Sequence, residues 1–305
     1  MAHNSVDHVL DLPALHSYPD FTVLSSYLEK FVIKPSKNFQ VVTHTEVPGL
    51  FNWLTALVGS PLPWLNDSER ELIWDLASQR LAERCGRAAA ATQTREFEFE
   101  TRREQSIKVE IVEPALTNDN LGLKTWGSAY VLAKRFAKSH ETLFNNSSRI
   151  LELGAGTGLV GIVLAKLGYA VCMTDLPEIV ENLRLNVQKN GVEHLAEAAI
   201  LDWSSPHQFK PAKEMQFNRL IVADALYSPS HPPMVCKVID RYLERTGDAR
   251  LCVQLPLRER YDNERDTFYR LLTQMRLKRI QYEELDDDDD FGETRYAWSL
   301  WEWAS

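Results

Sequence analysis

The stretch from Arg149 to Asp175 limits the folds open to this chain more than any other. It reads R-I-L-E-L-G-A-G-T-G-L-V-G-I-V-L-A-K-L-G-Y-A-V-C-M-T-D. Ile150, Leu151 and Leu153 open a short apolar run, the pattern of a strand buried in a parallel sheet. Gly154, Gly156 and Gly158 then let the backbone turn sharply and come close to a ligand. From Leu159 to Leu167 the apolar spacing suits a helix packed on that sheet, ended by Gly168. A second strand is expected over Ala170 to Met173. Asp175 follows, 21 residues after Gly154, where a carboxylate can reach the hydroxyls of a ribose.

A dinucleotide turn, G-x-G-x-x-G, would need its third glycine at 159, and the chain has Leu159 there. The pattern present, E-x-G-x-G-x-G, resembles the first motif of the class I methyltransferases that bind S-adenosylmethionine. A glycine turn with no ligand is the plain alternative, and Asp175 weighs against it.

Charge narrows the partners. The net charge of -9 over 305 residues argues against a nucleic-acid surface, which needs clustered Lys and Arg. It fits a small-molecule substrate or a basic protein. No apolar run reaches the length of a membrane span, and the first residues lack the regions of a signal peptide. Cys85, Cys172, Cys236 and Cys252 form no C-x-x-C pair, so a reducing compartment is expected, the cytoplasm ahead of the nucleus. A monomeric chain is expected as well. His231, beside Pro232 and Pro233, has no partner at ligand spacing, so no metal site is expected.

Residues 1–92 read as a helical extension punctuated by Pro13, Pro19 and Pro35. Phe51 to Val58 is one apolar helix. A second starts with Asn66 or Asp67 as cap, acids Glu69 and Glu71 in its first turn, and ends at Cys85-Gly86. The remainder, 93–305, begins with period-two alternation from Arg95 to Glu113, a β-hairpin turning near 102–105. Trp126 to Phe136 is a helix. Beyond Asp175, helices are expected from Pro177, over Met234 to Leu243 and over Tyr261 to Met275. Strands are expected over Ala198 to Leu201, Arg219 to Ala223 and Arg250 to Leu255. Two more, Arg279 to Glu284 and Thr294 to Trp303, would flank an acidic loop at 283–290. This alternation makes a doubly wound, Rossmann-like α/β sheet, in which ligands bind beyond the carboxyl ends of the strands. Four marked features fall at such ends: the glycine turn, Asp175, Asp202-Trp203, and D-A-L-Y at 224–227.

Each has a role in that frame. The turn and the helix N-terminus would take a carboxylate. Glu152 either faces an ammonium or holds loop backbone, the second being preferred. Asp175 would accept from a ribose diol, and Asp202 from an adenine amine beside the Trp203 wall. Trp126 could cover the methionine end, where its face favours a sulfonium. Ala223 is small, as suits a strand end beneath a ligand.

The combination of T-W-G-S-A-Y-V-L-A, E-L-G-A-G-T-G-L-V-G, the tryptophan after the third strand and D-A-L-Y resembles the family 16 seven-β-strand protein lysine methyltransferases over about residues 95–303. P-L-P-W-L-N-D-S-E-R-E-L-I-W and S-Q-R-L-A-E-R-C-G-R resemble the extension of a fungal branch that methylates translation elongation factors, of the elongation factor 2 type. The resemblance implies a class I methyltransferase sheet of seven strands and S-adenosylmethionine as cofactor. It implies cofactor contacts at Trp126, Gly154, Ala155, Gly156, Asp175, Trp203 and Ala223, and a catalytic lysine site at Asp224 and Tyr227. A methyltransferase of small molecules and a non-enzymatic adaptor are the alternatives on this fold.

Overall fold

The computed structural model describes residues 11–33, 37–39, 47–85, 92–115, 120–209, 216–289 and 292–304. The chain divides into two compact units, Met1–Pro35 with Val42–Gln93, and Ser36–Val41 with Thr94–Ser305.

The first unit holds α1 (Phe21–Lys30), α2 (Leu50–Gly59) and α3 (Asp67–Arg84). Leu24, Leu28, Leu54, Leu57, Leu62, Ile73 and Ala77 form its buried core. Asn66 starts α3 through a full capping box with Glu69, so two otherwise orphaned N–H groups are satisfied at once. Three indoles fasten the connecting segments. The Nε1–H groups of Trp53, Trp64 and Trp74 donate to the carbonyls of Pro13, Pro19 and Ser60. The expected cap at Gly86 lies outside the described residues.

The second unit opens with the hairpin of β1 (Gln93–Glu100) and β2 (Ser106–Glu113). Its inward residues Phe97, Phe99, Ile107, Val109 and Ile111 are buried while their neighbours are mostly exposed, as alternation requires. Next come α4 (Gly127–Ser139), β3 (Ile150–Leu153), α5 (Leu159–Lys166), β4 (Val171–Asp175), α6 (Pro177–Lys189) and β5 (Ala196–Ile200). The chain continues through β6 (Arg219–Ala223), α7 (His231–Tyr242), β7 (Arg250–Pro256), α8 (Asp262–Gln274), β8 (Leu277–Asp289) and β9 (Gly292–Trp303). Seven strands form one sheet in the order β5-β4-β3-β6-β7-β9-β8. The five from β5 to β7 are parallel. β9 runs antiparallel between β7 and β8. This is the expected doubly wound class I methyltransferase sheet. Its strand order reverses between β3 and β6, which leaves a crevice at their carboxyl ends.

Alternate residues of the strands face two cores. Ile150, Met173, Ile221 and Cys252 pack under α4, α5 and α6; Leu151, Leu220, Val222 and Val253 pack under α7 and α8. Burial of the sheet on both faces explains why its strands read as continuous apolar runs.

Two expectations need correction. The acidic run does not form a loop: β8 carries it as strand to Asp289, paired with β9 down to Gly292. Arg135, Lys134 and Arg295 meet Glu283, Asp287 and Asp286 and relieve the repulsion. The third strand of the alternation begins at Ala196, two residues early, because Val171 fixes its register against Ala196.

The hairpin is tied to α6 by side chains. Asn190 accepts from the Glu110 N–H and donates to the Glu110 carbonyl, at 3.1 and 2.7 Å. Asn186 does the same with Val112, at 2.8 and 3.2 Å, and Asn182 also donates to the Val112 carbonyl. Among the described residues no helix is long and apolar enough to cross a membrane.

Candidate functional site

A cavity of about 340 Å³ opens at the carboxyl edge of the sheet. That is within the usual range for small-molecule sites. Trp126, Gly154, Ala155, Gly156, Asp175, Asp202, Trp203, Ala223, Asp224 and Tyr227 all line it, so the structure brings every residue singled out above to one place.

The turn after β3 is built by conformations that glycine adopts at little cost. Gly154, Gly156 and Gly158 have φ of +67°, +56° and +89°. Closeness demands glycine as well. A Cβ on Gly154 would lie 3.0 Å from the Trp203 ring, and one on Gly156 would lie 3.1 Å from the Gly122 carbonyl. The segment before α4 therefore lies directly on the turn. It is held there by Thr125, whose N–H donates to buried Glu113 and whose hydroxyl bonds to that of Thr157 at 2.8 Å. Trp126 caps this segment, its Nε1–H donating to the Leu121 carbonyl, with the Arg258 guanidinium 5.7 Å from its ring centre.

Asp175 holds the loops, a task the sequence suggested for Glu152. Its two carboxylate oxygens accept from the N–H groups of Gly156 and Leu176, both at 2.8 Å. Each oxygen keeps lone-pair capacity for a further donor. Burial nonetheless pushes its pKa up to about 6, those two bonds opposing the rise. Glu152 is 2% exposed, and its Oε2 has no hydrogen-bond partner among the described residues. Burial pushes its pKa up to about 8, with the Gly161 N–H opposing and Asp175 adding. A buried carboxyl with one unpartnered oxygen in a cavity wall is suited to an ammonium donor. Five acids, Glu152, Asp175, Glu178, Asp202 and Asp224, against two permanent cations, Lys124 and Arg258, line the space. That balance fits a cationic amino-acid nucleoside such as S-adenosylmethionine and disfavours a pyrophosphate.

The two buried carboxyls make stability depend on pH. Both folded-state pKa values are raised, so their contribution is intact below the unfolded values near 4 and is lost as pH rises toward 8. Without ligand the protein is expected to lose on the order of 5 kcal/mol between pH 5 and 8, most of it from Glu152. Glu152→Gln should remove most of that slope in urea unfolding at the two pH values. An unchanged slope in the variant would refute the assignment.

On the opposite side, β6 ends at Ala223, and Asp224 turns out of the sheet with φ +55°. Its N–H donates to the Gln254 carbonyl at 3.0 Å. Left-handed backbone is costly for most residues and mildest for Asn and Asp, and it clusters at functional sites. Tyr227 is 45% exposed at the mouth. Burial of its hydroxyl, with Asp175 and Asp224 near, raises its pKa, so it stays a neutral phenol. Sequence reasoning weighed His231 only as a metal ligand; it lines the cavity and packs edge-to-face on Tyr227 at 4.4 Å. Its place at the first turn of α7, ahead of two prolines that suit such a turn, was the available signal. Among the described residues no group of three His, Cys, Asp or Glu could hold a metal ion, and the four cysteines are free thiols.

A family model described as lysine methyltransferase matches residues 104–275. The protein-lysine N-methyltransferase rrg1 of Schizosaccharomyces pombe is 33% identical over 306 residues, covering 96% of this chain and 97% of that protein. The protein-lysine N-methyltransferase EFM2 of Saccharomyces cerevisiae is 39% identical over 250 residues, covering 75% of this chain and 58% of its own length. Among solved structures, a SAM-dependent methyltransferase from Methanosarcina mazei aligns with TM-score 0.41 and 15% identity, over 54% of this chain and 97% of that one.

Proposed function

Because the chain belongs to the lysine methyltransferase family, we propose that it methylates a lysine amine of a protein with S-adenosylmethionine as donor. We propose further that the acceptor is a translation elongation factor, met by a monomeric, cytoplasmic enzyme. One observation carries the reading: Asp224 and Tyr227 share a single acid-rich cavity with the glycine turn and Asp175. When bound, the cofactor supplies a methyl group made electrophilic by its sulfonium.

The chain's own residues do the rest. Glu152 would pair with the cofactor ammonium and Asp175 would accept from its ribose hydroxyls. Gly154, Ala155 and Gly156 would let the backbone come close to the methionine half. Trp203 would wall the adenine, with Asp202 accepting from its amine, and Ala223 would leave room beneath. Trp126 would cover the methionine end, where an aromatic face favours a sulfonium. Asp224 accepts a hydrogen bond from the lysine amine, and the Tyr227 ring narrows the way in. A lysine ammonium, with a pKa near 10.4, must first lose a proton to water. A nearby carboxylate raises that pKa, so Asp224 serves orientation rather than proton removal. Orientation is a large part of what such a transfer needs.

The elongation-factor acceptor is supported by the likeness of P-L-P-W-L-N-D-S-E-R-E-L-I-W, which forms the start of α3 and the segment before it. The test is incubation of the purified chain with labelled S-adenosylmethionine, first with recombinant elongation factor 2 made in bacteria and then with whole-cell extract. Mass spectrometry should place the label on a lysine of the elongation factor. Label on another protein would remove that acceptor and keep the lysine reading. Label only on a small molecule would overturn both.

A further inference from the structure

The proposed chemistry leaves His231 without a task, although three contacts converge on its ring. Its Nδ1 lies 3.0 Å from the Ala225 carbonyl. A carbonyl oxygen only accepts, so Nδ1 carries a proton and the neutral ring is held in one tautomer. The Tyr227 ring packs on it at 4.4 Å and 88°, and the Trp203 indole at 5.7 Å and 87°. Trp203 in turn reaches Gly154. One imidazole thus touches the backbone beside Asp224, the tyrosine of D-A-L-Y, and the wall that borders the glycine turn.

The loop needs such a tie. Asp224 sits at φ +55°, a conformation that persists only where its surroundings impose it. Before it, the Asp224 N–H is fixed to the Gln254 carbonyl. After it, the Ala225 carbonyl is fixed by His231, seven residues later than Asp224 and on a different element, the first turn of α7. These two bonds bracket the left-handed residue. Burial lowers the His231 pKa, the Ala225 bond opposing, so the ring adds no positive charge beside a cationic donor and a cationic lysine at neutral pH.

We propose that His231 is the positioning residue of the acceptor side, holding the Asp224–Tyr227 loop in its strained form through the Ala225 carbonyl and the Tyr227 ring. This rests on the lysine methyltransferase reading above. It assigns His231 no contact with the reacting atoms. Its action runs through Asp224 and Tyr227, which distinguishes it from a proton acceptor.

Two variants separate the hydrogen bond from the ring. His231→Phe keeps an aromatic body and removes the donor; His231→Asn keeps a donor on the same carbon and removes the ring. With S-adenosylmethionine and recombinant elongation factor 2, H231F should lower kcat about tenfold, the worth of one hydrogen bond. Its KM for S-adenosylmethionine should change less than about threefold, and H231N should recover most of the kcat. Wild-type kcat in H231F, or an H231N as slow as H231F, would overturn the proposal.

A second measurement does not need turnover. Long-range proton–nitrogen correlation on the ¹⁵N-labelled wild-type chain should show His231 protonated at Nδ1, and H231F should shift the Tyr227 ring protons. A dominant Nε2–H form, or unmoved Tyr227 signals, would overturn it even if H231F folded poorly. If the wild-type chain transfers no methyl group to any protein, the functional reading fails by itself. The tautomer and the Tyr227 shifts then still decide whether His231 holds the loop.

Discussion

Asparagine in place of Asp224 is expected to lower methyl transfer about 10³-fold while leaving the fold and cofactor binding in place. A hydrogen bond to a charged group contributes about 1.5–3 kcal/mol, or roughly 10- to 100-fold in rate. Misplacing the amine relative to the methyl group adds up to about 10²-fold. The choice of variant follows from the backbone. Asp224 has φ +55°, which Asn tolerates nearly as well as Asp and Ala does not. D224N therefore tests the carboxylate alone. D224A adds strain and should lose about 1 kcal/mol of stability as well. Rates with labelled cofactor, urea midpoints and calorimetric cofactor binding distinguish these effects. A D224N enzyme with more than a tenth of wild-type kcat would remove Asp224 from the chemistry.

The second large effect belongs to Gly158. An alanine there would carry φ +89° and place its Cβ 2.4 Å from Leu183 Cδ1, a side chain with no exposure. Left-handed strain costs about 1–2 kcal/mol and overpacking about 1–3 more. Gly158→Ala should therefore lose about 2–5 kcal/mol, a large part of a typical domain's stability. Because Gly158 sets the start of α5 beside the cavity, cofactor affinity should fall with it. Urea unfolding and calorimetry on the same preparation check both. A loss of only about 1–2 kcal/mol would mean that α6 yields around Leu183 without cost, and a change under about 0.5 kcal/mol would refute the backbone strain as well.

Much of the cavity was legible in the sequence because parallel sheets put meaning at strand ends. Asp175, Asp202 and Asp224 each stand just after an apolar run, and a doubly wound order gathers such ends at one edge. Register and edge effects were less legible. Whether Ala196 or Ala198 starts a strand depends on the neighbour it pairs with. The acidic run at 283–289 becomes strand because β9 pairs with it and basic side chains from α4 answer it, neither of which its own composition reveals. The loop-holding bonds fall to Asp175 instead of Glu152 for a similar reason: only the folded turn shows which carboxyl the Gly156 N–H meets. The site role of His231 was missed because the helix was expected to start at Met234, whereas His231 and its two prolines form its first turn.

The asparagines on α6 have a consequence for how the hairpin is kept to a single partner. Four residues along a helix advance about 6.0 Å, and two residues along a strand advance about 6.8 Å. Asn186 and Asn190 are thus nearly commensurate with Val112 and Glu110, and each presents a primary amide that mimics one rung of a β-ladder. α6 behaves toward β2 as a counterfeit strand. The backbone groups that would recruit a neighbouring molecule are spent within the chain, which is the protection that an open edge otherwise lacks. A slip of one residue would break both rungs together, so the helix also acts as a ruler for the hairpin's alignment.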